Sequence, residues 1–264
     1  MVAADLPRTR RPAEAVAMTN RIALVTGAAS GIGAAIATRL AADGASVALL
    51  ARRRDRLEKV AAQITETGGT ALVVPADVTS EESVAAAATE VHDRFGDLDL
   101  LVNNAGLMRV VPFADGPLDD WRRTVDVNLT GVINVTHAFL PALRRSAATR
   151  TTDLINVSSI AGERINPGMA TYGASKAAVS HLTRTLRAEL AGEGIRVTDL
   201  EPGMIGGTEL ADSFPTELQS MVNDLRTTLP AVPVSEVAEL VSYVVSRPRN
   251  VNLPRLIIQP SKEV

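Results

Sequence analysis

The sequence predicts one doubly wound α/β fold, a sheet of about seven parallel strands with helices on both faces. Three observations carry this expectation. Short aliphatic runs alternate with longer stretches of helical periodicity from residue 21 to the end. The runs are almost continuously apolar, as strands buried on both faces must be, and a parallel neighbour can be reached only through a crossover such as the intervening helices. A glycine-rich turn also stands directly between the first strand and the first helix.

Taken in order, the strand candidates are 21–26 (RIALVT), 46–50 (SVALL), 71–75 (ALVVP), 98–102 (LDLLV), 153–157 (DLINV), 195–200 (IRVTDL) and 255–259 (RLIIQ). Apolar residues recurring every three or four positions predict helices over 31–43, 54–67, 80–95, 118–145, 170–191 and 234–246. The stretch 206–233 interrupts this rhythm with Gly206-Gly207, Pro215, Pro230 and Pro233. It reads as a substrate-loop insertion beside the C-terminal edge of the sheet, where such folds bind ligands. No repeat or linker divides the chain, so residues 19–264 are expected to form a single domain. Residues 1–18, with Arg8, Arg10 and Arg11 among alanines and prolines, read as a disordered leader or a misassigned start, Met18 being the alternative initiator.

Composition narrows the chemistry. A formal net charge of −3 argues against nucleic acid or an anionic membrane as the main partner. Without cysteine there is no disulfide framework and no thiolate metal site, and His92, His137 and His181 lack metal-ligand spacing. No metal is expected, and redox work would need a borrowed cofactor. No apolar run suits a signal peptide or a membrane span, so a cytoplasmic location is expected.

The turn after the first strand, TGAASGIGAAIATRL, offers a place for that cofactor. Gly27, Gly31 and Gly33 close a tight turn and let a helix N-terminus face an anion, where free N–H groups and the helix dipole suit a pyrophosphate. The end of the second strand selects the nucleotide. Where NAD binders carry an acid for the ribose hydroxyls, this chain has Ala51, followed by Arg52, Arg53 and Arg54. Guanidinium groups there favour the 2′-phosphate of NADP(H), with Arg52 the leading contact and Arg53 the second.

The stretch TYGASKAAVS places one of two tyrosines, Tyr172, four residues before one of three lysines, Lys176, although the chain uses 24 arginines. A phenol is a poor acid–base group at neutral pH, and a cation one helical turn away stabilises the phenolate. The pair suits proton transfer to or from a carbonyl oxygen as hydride moves at the carbon.

Together with NNAG at 103–106, VNLTG at 127–131, NVSSIAG at 156–162, YGASK at 172–176 and EPG at 201–203, the turn gives an ordered set that resembles the short-chain dehydrogenase/reductase family over roughly residues 20–260. The resemblance implies a Rossmann-like fold and a Ser-Tyr-Lys-Asn catalytic set. Tyr172 would be the acid/base, and Lys176 would lower its pKa and hold the nicotinamide ribose. Ser159, 13 residues before the tyrosine, would bind the substrate oxygen in preference to Ser158, and Asn128 would kink its helix and anchor a water for proton relay. It further implies cofactor contacts from Ser30 and Ile32 beside the glycines, from Asp77 and Val78 after the third strand, and from Asn104, Ala105 and Gly106 after the fourth. Pro202, Gly203 and Ile205 would follow beside the nicotinamide. Asp77 equally suits a helix-capping role before Thr79.

One departure stands out. The family commonly has a threonine four residues after the glycine of PG, whereas Thr208 is five after Gly203. Either the loop bulges and Thr208 still reaches, or backbone groups near Ile205 take its place. Within the family the ARR sequence, the EPG–TEL loop and the C-terminal stretch resemble NADP-dependent alcohol and aldehyde reductases of the clavulanate-aldehyde and hydroxy-acid dehydrogenase sort. That implies a small or mid-sized ketone or aldehyde substrate and a homotetramer or homodimer. Two other readings remain open: a 3-oxoacyl-thioester reductase that docks an acyl carrier on Arg122, Arg123, Arg144 and Arg145, and an NADP-sensing protein without chemistry.

Overall fold

The computed structural model describes residues 18–209 and 231–262. The leader assigned to 1–18, apart from Met18, and most of the 206–233 insertion lie outside the described residues.

All seven anticipated strands form one parallel sheet: β1 (Ile22–Thr26), β2 (Ser46–Ala51), β3 (Thr70–Pro75), β4 (Leu100–Asn103), β5 (Thr152–Val157), β6 (Ile195–Pro202) and, after two short strands, β9 (Arg255–Ile258). Their order is β3-β2-β1-β4-β5-β6-β9, so the direction of winding reverses between β1 and β4. A crevice opens at such a reversal, above the C-terminal ends of the strands. The strands are apolar throughout because each face is covered. On one side lie α1 (Gly31–Ala42), α2 (Arg54–Glu66) and α7 (Val234–Val245), packed through Ile36, Leu40, Leu57, Ile64 and Val241. On the other lie α3 (Glu81–Phe95), α5 (Gly131–Ala147) and α6 (Ala170–Leu190), contributing Val84, Val91, Val135, Phe139, Leu143 and Leu190.

Two details differ from the sequence expectation. The helix expected over 118–145 is α4 (Leu118–Val125), a π-helical turn over Asp126–Thr130, and then α5. A π turn sacrifices regular i→i−4 bonding and persists where tertiary contacts hold it. Here the contacts belong to Asn128, which sits in the turn and is fully buried. In addition, β7 (Ile205–Gly206) and β8 (Val232–Pro233) form a separate parallel pair too short for any periodicity to announce.

Polar ties inside the sheet lie at both ends of the strands. At the N-terminal end, Arg21 bonds Asp99 at 2.7 Å and Asp153 at 2.8 Å, and Arg196 clamps Asp153 at 2.7 and 2.9 Å. All four are buried. At the C-terminal end the amide of Asn103 donates to Thr136 on α5 and to Asn156 on β5, and Asn156 donates onward to Thr183 on α6, each at 2.9 Å.

Candidate active site

The crevice at the reversal gathers nearly every candidate residue. Gly27 and Gly31 both have positive φ, +66° and +55°, which a side chain would strain. A Cβ on Gly33 would fall 2.4 Å from the Gly27 carbonyl oxygen and 2.5 Å from the amide of Asn104, so the turn closes only around glycine. The helix that follows begins at Ser30 with no side-chain cap and no acidic residue in its first turn, leaving its free N–H groups for an anion. This donor set fits a dinucleotide pyrophosphate.

Asn104 and Ala105 are tied to the turn through Thr26: both backbone N–H groups donate to its hydroxyl at 2.9 Å, and the Asn104 amide donates to its carbonyl at 3.0 Å. Thr26 was missed by sequence reasoning, although its place immediately before Gly27 was a signal. Gly106 continues towards the opposite wall, where a Cβ on it would meet Asn128 Oδ1 and Lys176 Nζ, each at 3.6 Å.

Arg52 stands beyond the end of β2 and faces Asp77 electrostatically. Asp77 accepts from the backbone N–H and hydroxyl of Thr79 at 3.0 and 2.8 Å, so the capping role is present. Its partial burial favours the neutral acid, but those bonds and the charges of Arg52 and Arg123 together hold the carboxyl below its ordinary range. Val78 is fixed by Asn134 of α5, whose amide donates to its carbonyl at 3.0 Å; no sequence motif pointed to that asparagine. Arg53 turns to Glu209, at 2.8 Å. Thr208 packs on the phosphate turn, its Cα 3.4 Å from where a Gly31 Cβ would lie. Gly207, at φ +78°, precedes Thr208 in this loop.

Tyr172, Lys176, Ser159 and Asn128 are all buried. Helix α6 carries the tyrosine and lysine on one face, one turn apart. Ser159, just beyond β5, hydrogen-bonds the Tyr172 phenol, accepts from Ala161 N–H at 3.1 Å and donates to the Pro202 carbonyl at 3.3 Å. Ser158 points elsewhere, with its hydroxyl 2.5 Å from Asp199. The two neighbouring serines thus face different partners, and Ser159 is the one beside the tyrosine. Asn128 bridges the loop after β4 to α6: Oδ1 accepts from Leu107 N–H at 2.7 Å, while Nδ2 donates to the Leu107 carbonyl at 2.9 Å and to Ser175 at 3.0 Å.

The electrostatics differ from the simple expectation for a Tyr–Lys pair. Burial raises the Tyr172 phenol above its usual value, and the bond to Ser159 works against that rise. Lys176 Nζ lies 5.9 Å from the tyrosine ring centroid and donates to the Val157 carbonyl at 2.8 Å. Burial pulls its pKa down to about 8, opposed by the carboxylate of Asp199. Asp199 was also missed, because an acid inside an apolar strand reads as an exposed edge residue.

The chain is similar to known proteins over most of its length. The family model for short chain dehydrogenase matches residues 21–219. Sulfoacetaldehyde reductase 2 of Chromohalobacter salexigens is 38% identical over 92% of this chain and 95% of its own length. An alcohol dehydrogenase of the archaeon Thermococcus sibiricus, solved with 5-hydroxy-NADP, superposes with a TM-score of 0.82 at 31% identity, over 92% of this chain and 98% of that one. The closed form of a serine dehydrogenase complexed with NADP+ superposes with a TM-score of 0.85 at 30% identity, covering 92% and 96%. Among the described residues no helix is long and apolar enough to cross a membrane, and no group of acidic or histidine side chains could hold a metal ion.

Proposed function

Because this chain belongs to the short-chain dehydrogenase/reductase family, and is therefore an oxidoreductase, we propose that it is an NADPH-dependent reductase of a small or mid-sized ketone or aldehyde, acting reversibly. The observation that carries this reading is the buried cluster of Ser159, Tyr172 and Lys176 opening beside the glycine turn. The bound nicotinamide supplies or accepts a hydride. Ser159 donates to the substrate oxygen and steadies the charge that develops there. Tyr172 gives that oxygen its proton, or takes it in the oxidising direction. Lys176, charged at neutral pH, favours the phenolate and holds the nicotinamide ribose. Asn128 keeps the loop after β4 at a fixed height above α6.

Gly27, Ser30, Gly31, Ile32 and Gly33 hold the pyrophosphate. Asp77 and Val78 meet the adenine, Asn104 to Gly106 line the path between, and Pro202, Gly203, Ile205 and Thr208 close the nicotinamide side. Arg52, bonded to no carboxylate among the described residues, favours the 2′-phosphate, and the NADP-type ligands of two structural neighbours support the same preference. The proposed contact between subunits of a homotetramer or homodimer runs through the helices after β4 and β5, namely α4, α5 and α6. The acyl-carrier reading loses support, since Arg144 pairs with Glu193 at 2.6 Å, Arg145 with Asp97 at 2.7 Å and Arg122 with Asp119 at 3.4 Å. With three of the four arginines so neutralised, little is left for an acidic carrier. Arg109, just past NNAG and within the loop after β4, leans to Asp120 at 3.6 Å.

The test is oxidation of NADPH and NADH side by side against aldehydes, ketones, β-keto acids and 3-oxoacyl thioesters. Tyr172→Phe should retain NADPH binding and lose turnover; more than a tenth of the activity remaining would refute the acid/base role. Arg52→Ala should weaken NADPH roughly tenfold or more and leave NADH unchanged, since a hydrogen bond to a charged group is worth about 1.5–3 kcal/mol.

A further inference from the structure

The residues that flank the phosphate turn already hold an anion of the chain's own. Glu209, one residue beyond Thr208, places Oε2 at 2.8 Å from Arg53 Nη2 and Oε1 at 2.9 Å from Arg56 Nη1. Its carboxylate also hydrogen-bonds Ser30, the residue of the turn that precedes α1. Three separate pieces of chain, the β1–α1 turn, the start of α2 and the loop after β7, therefore meet on one carboxylate. Two guanidinium groups and a hydroxyl beside a helix N-terminus form the kind of donor set that recognises a phosphate monoester. A carboxylate with two acceptor oxygens satisfies the same donors.

We infer that Glu209 is a specificity-determining residue that competes with the 2′-phosphate of the cofactor for Arg53 and Arg56. The inference rests on the NADPH reading above and deepens it. Arg52, which bonds no carboxylate among the described residues, is left to receive the phosphate directly, whereas Arg53 can turn to it only by leaving Glu209. An anion this close also repels the incoming phosphate. The Glu209 carboxylate thus restrains the preference for NADPH over NADH that the arginines by themselves would give. Bonding to Arg53 holds the carboxyl of Glu209 below its ordinary range, so the competitor remains charged throughout the neutral pH range.

The pairs are half-exposed, with side-chain exposures of 48% for Arg53, 44% for Arg56 and 38% for Glu209, so their contribution is that of a surface ion pair. Such pairs are worth about 0.2–1 kcal/mol, which converts to a change in affinity of up to roughly fivefold. The experiment is equilibrium binding of NADPH, NADH, 2′-AMP and 5′-AMP to the wild-type protein, Glu209→Gln and Glu209→Lys, followed by calorimetry or by quenching of Trp121 fluorescence. Glu209→Gln is expected to tighten NADPH and 2′-AMP by about two- to fivefold and to leave NADH and 5′-AMP within experimental error. Glu209→Lys, which adds a cation where the anion stood, should tighten the two 2′-phosphates further.

Unchanged or weaker NADPH and 2′-AMP binding by both variants, while the wild type still prefers NADPH to NADH, would overturn the inference and spare the NADPH reading. Equal gains for all four ligands would also overturn it, because a general electrostatic effect does not distinguish the 2′ position. A wild type that binds NADH as tightly as NADPH, with Arg52→Ala without effect, would overturn both.

Discussion

Carbon-13 labelling of lysine would give three side-chain Cε resonances, from Lys59, Lys176 and Lys262, and so allow Lys176 to be titrated with no substrate at all. Lys59, on the outer face of α2, and Lys262, near the C-terminus, are open to water and serve as internal references. Lys176 should titrate near 8, because burial penalises its ammonium more than Asp199 supports it. The gap from 10.5 to about 8 corresponds to about 3 kcal/mol between the two protonation states.

The sign follows from linkage. Between these two values the unfolded chain binds a proton that the folded chain does not, so this group makes the folded state more stable as pH rises through the window. Relative to Lys176→Met, the wild type should therefore gain about 3 kcal/mol between about pH 8 and pH 10.5 in urea titrations. Asp199→Asn removes the opposing charge, and the Lys176 midpoint should fall further. Turnover that depends on a charged lysine should then lose its alkaline side at lower pH. A Lys176 resonance titrating at the ordinary 10.5, or an unmoved midpoint in Asp199→Asn, would refute this account of the electrostatics.

Two further outcomes concern the turn and the opposite end of the sheet. Gly33→Ala should abolish dinucleotide binding and destabilise by about 1–3 kcal/mol, since the added methyl meets the Gly27 carbonyl and neither backbone can retreat; near wild-type NADPH affinity by calorimetry would contradict the closed turn. Asp153→Asn should cost about 3–5 kcal/mol, because Arg21 and Arg196 stay buried without their shared counter-ion. The melting temperature should fall by roughly 10 °C, with NADPH affinity unchanged in the variant that remains folded.

The strands were legible because a strand covered on both faces has no alternation to hide, and β1 to β6 and β9 each announce themselves as apolar runs. The glycine turn and the Tyr172–Lys176 pair were legible because both are local: each lies within a few residues of sequence and uses residue types that stand out in this chain. The π turn at Asp126–Thr130 was legible only as the kink that the resemblance implies at Asn128, and not from periodicity, since it depends on bonds from Asn128 to Leu107 and Ser175, 21 and 47 residues away. The buried ions were not legible. Arg21, Asp99, Asp153 and Arg196 sit at the beginnings of strands, where charge ordinarily marks the boundary with a loop, and only the assembled sheet makes them neighbours. Glu209 entered the reading only as a letter of the TEL loop, with nothing to mark partners that lie more than 150 residues earlier.

The row of amides and hydroxyls from Thr136 through Asn103 and Asn156 to Thr183 has a consequence for how this protein can change. It ties β4, which leads into Asn104–Gly106, to α6, which carries Tyr172 and Lys176, through three buried hydrogen bonds. The spacing between the glycine-turn crevice and Tyr172 is thus set in the interior, like the fixed jaw of a vice. Loops at the mouth can be exchanged for others, and new substrates admitted, while that spacing stays as it is.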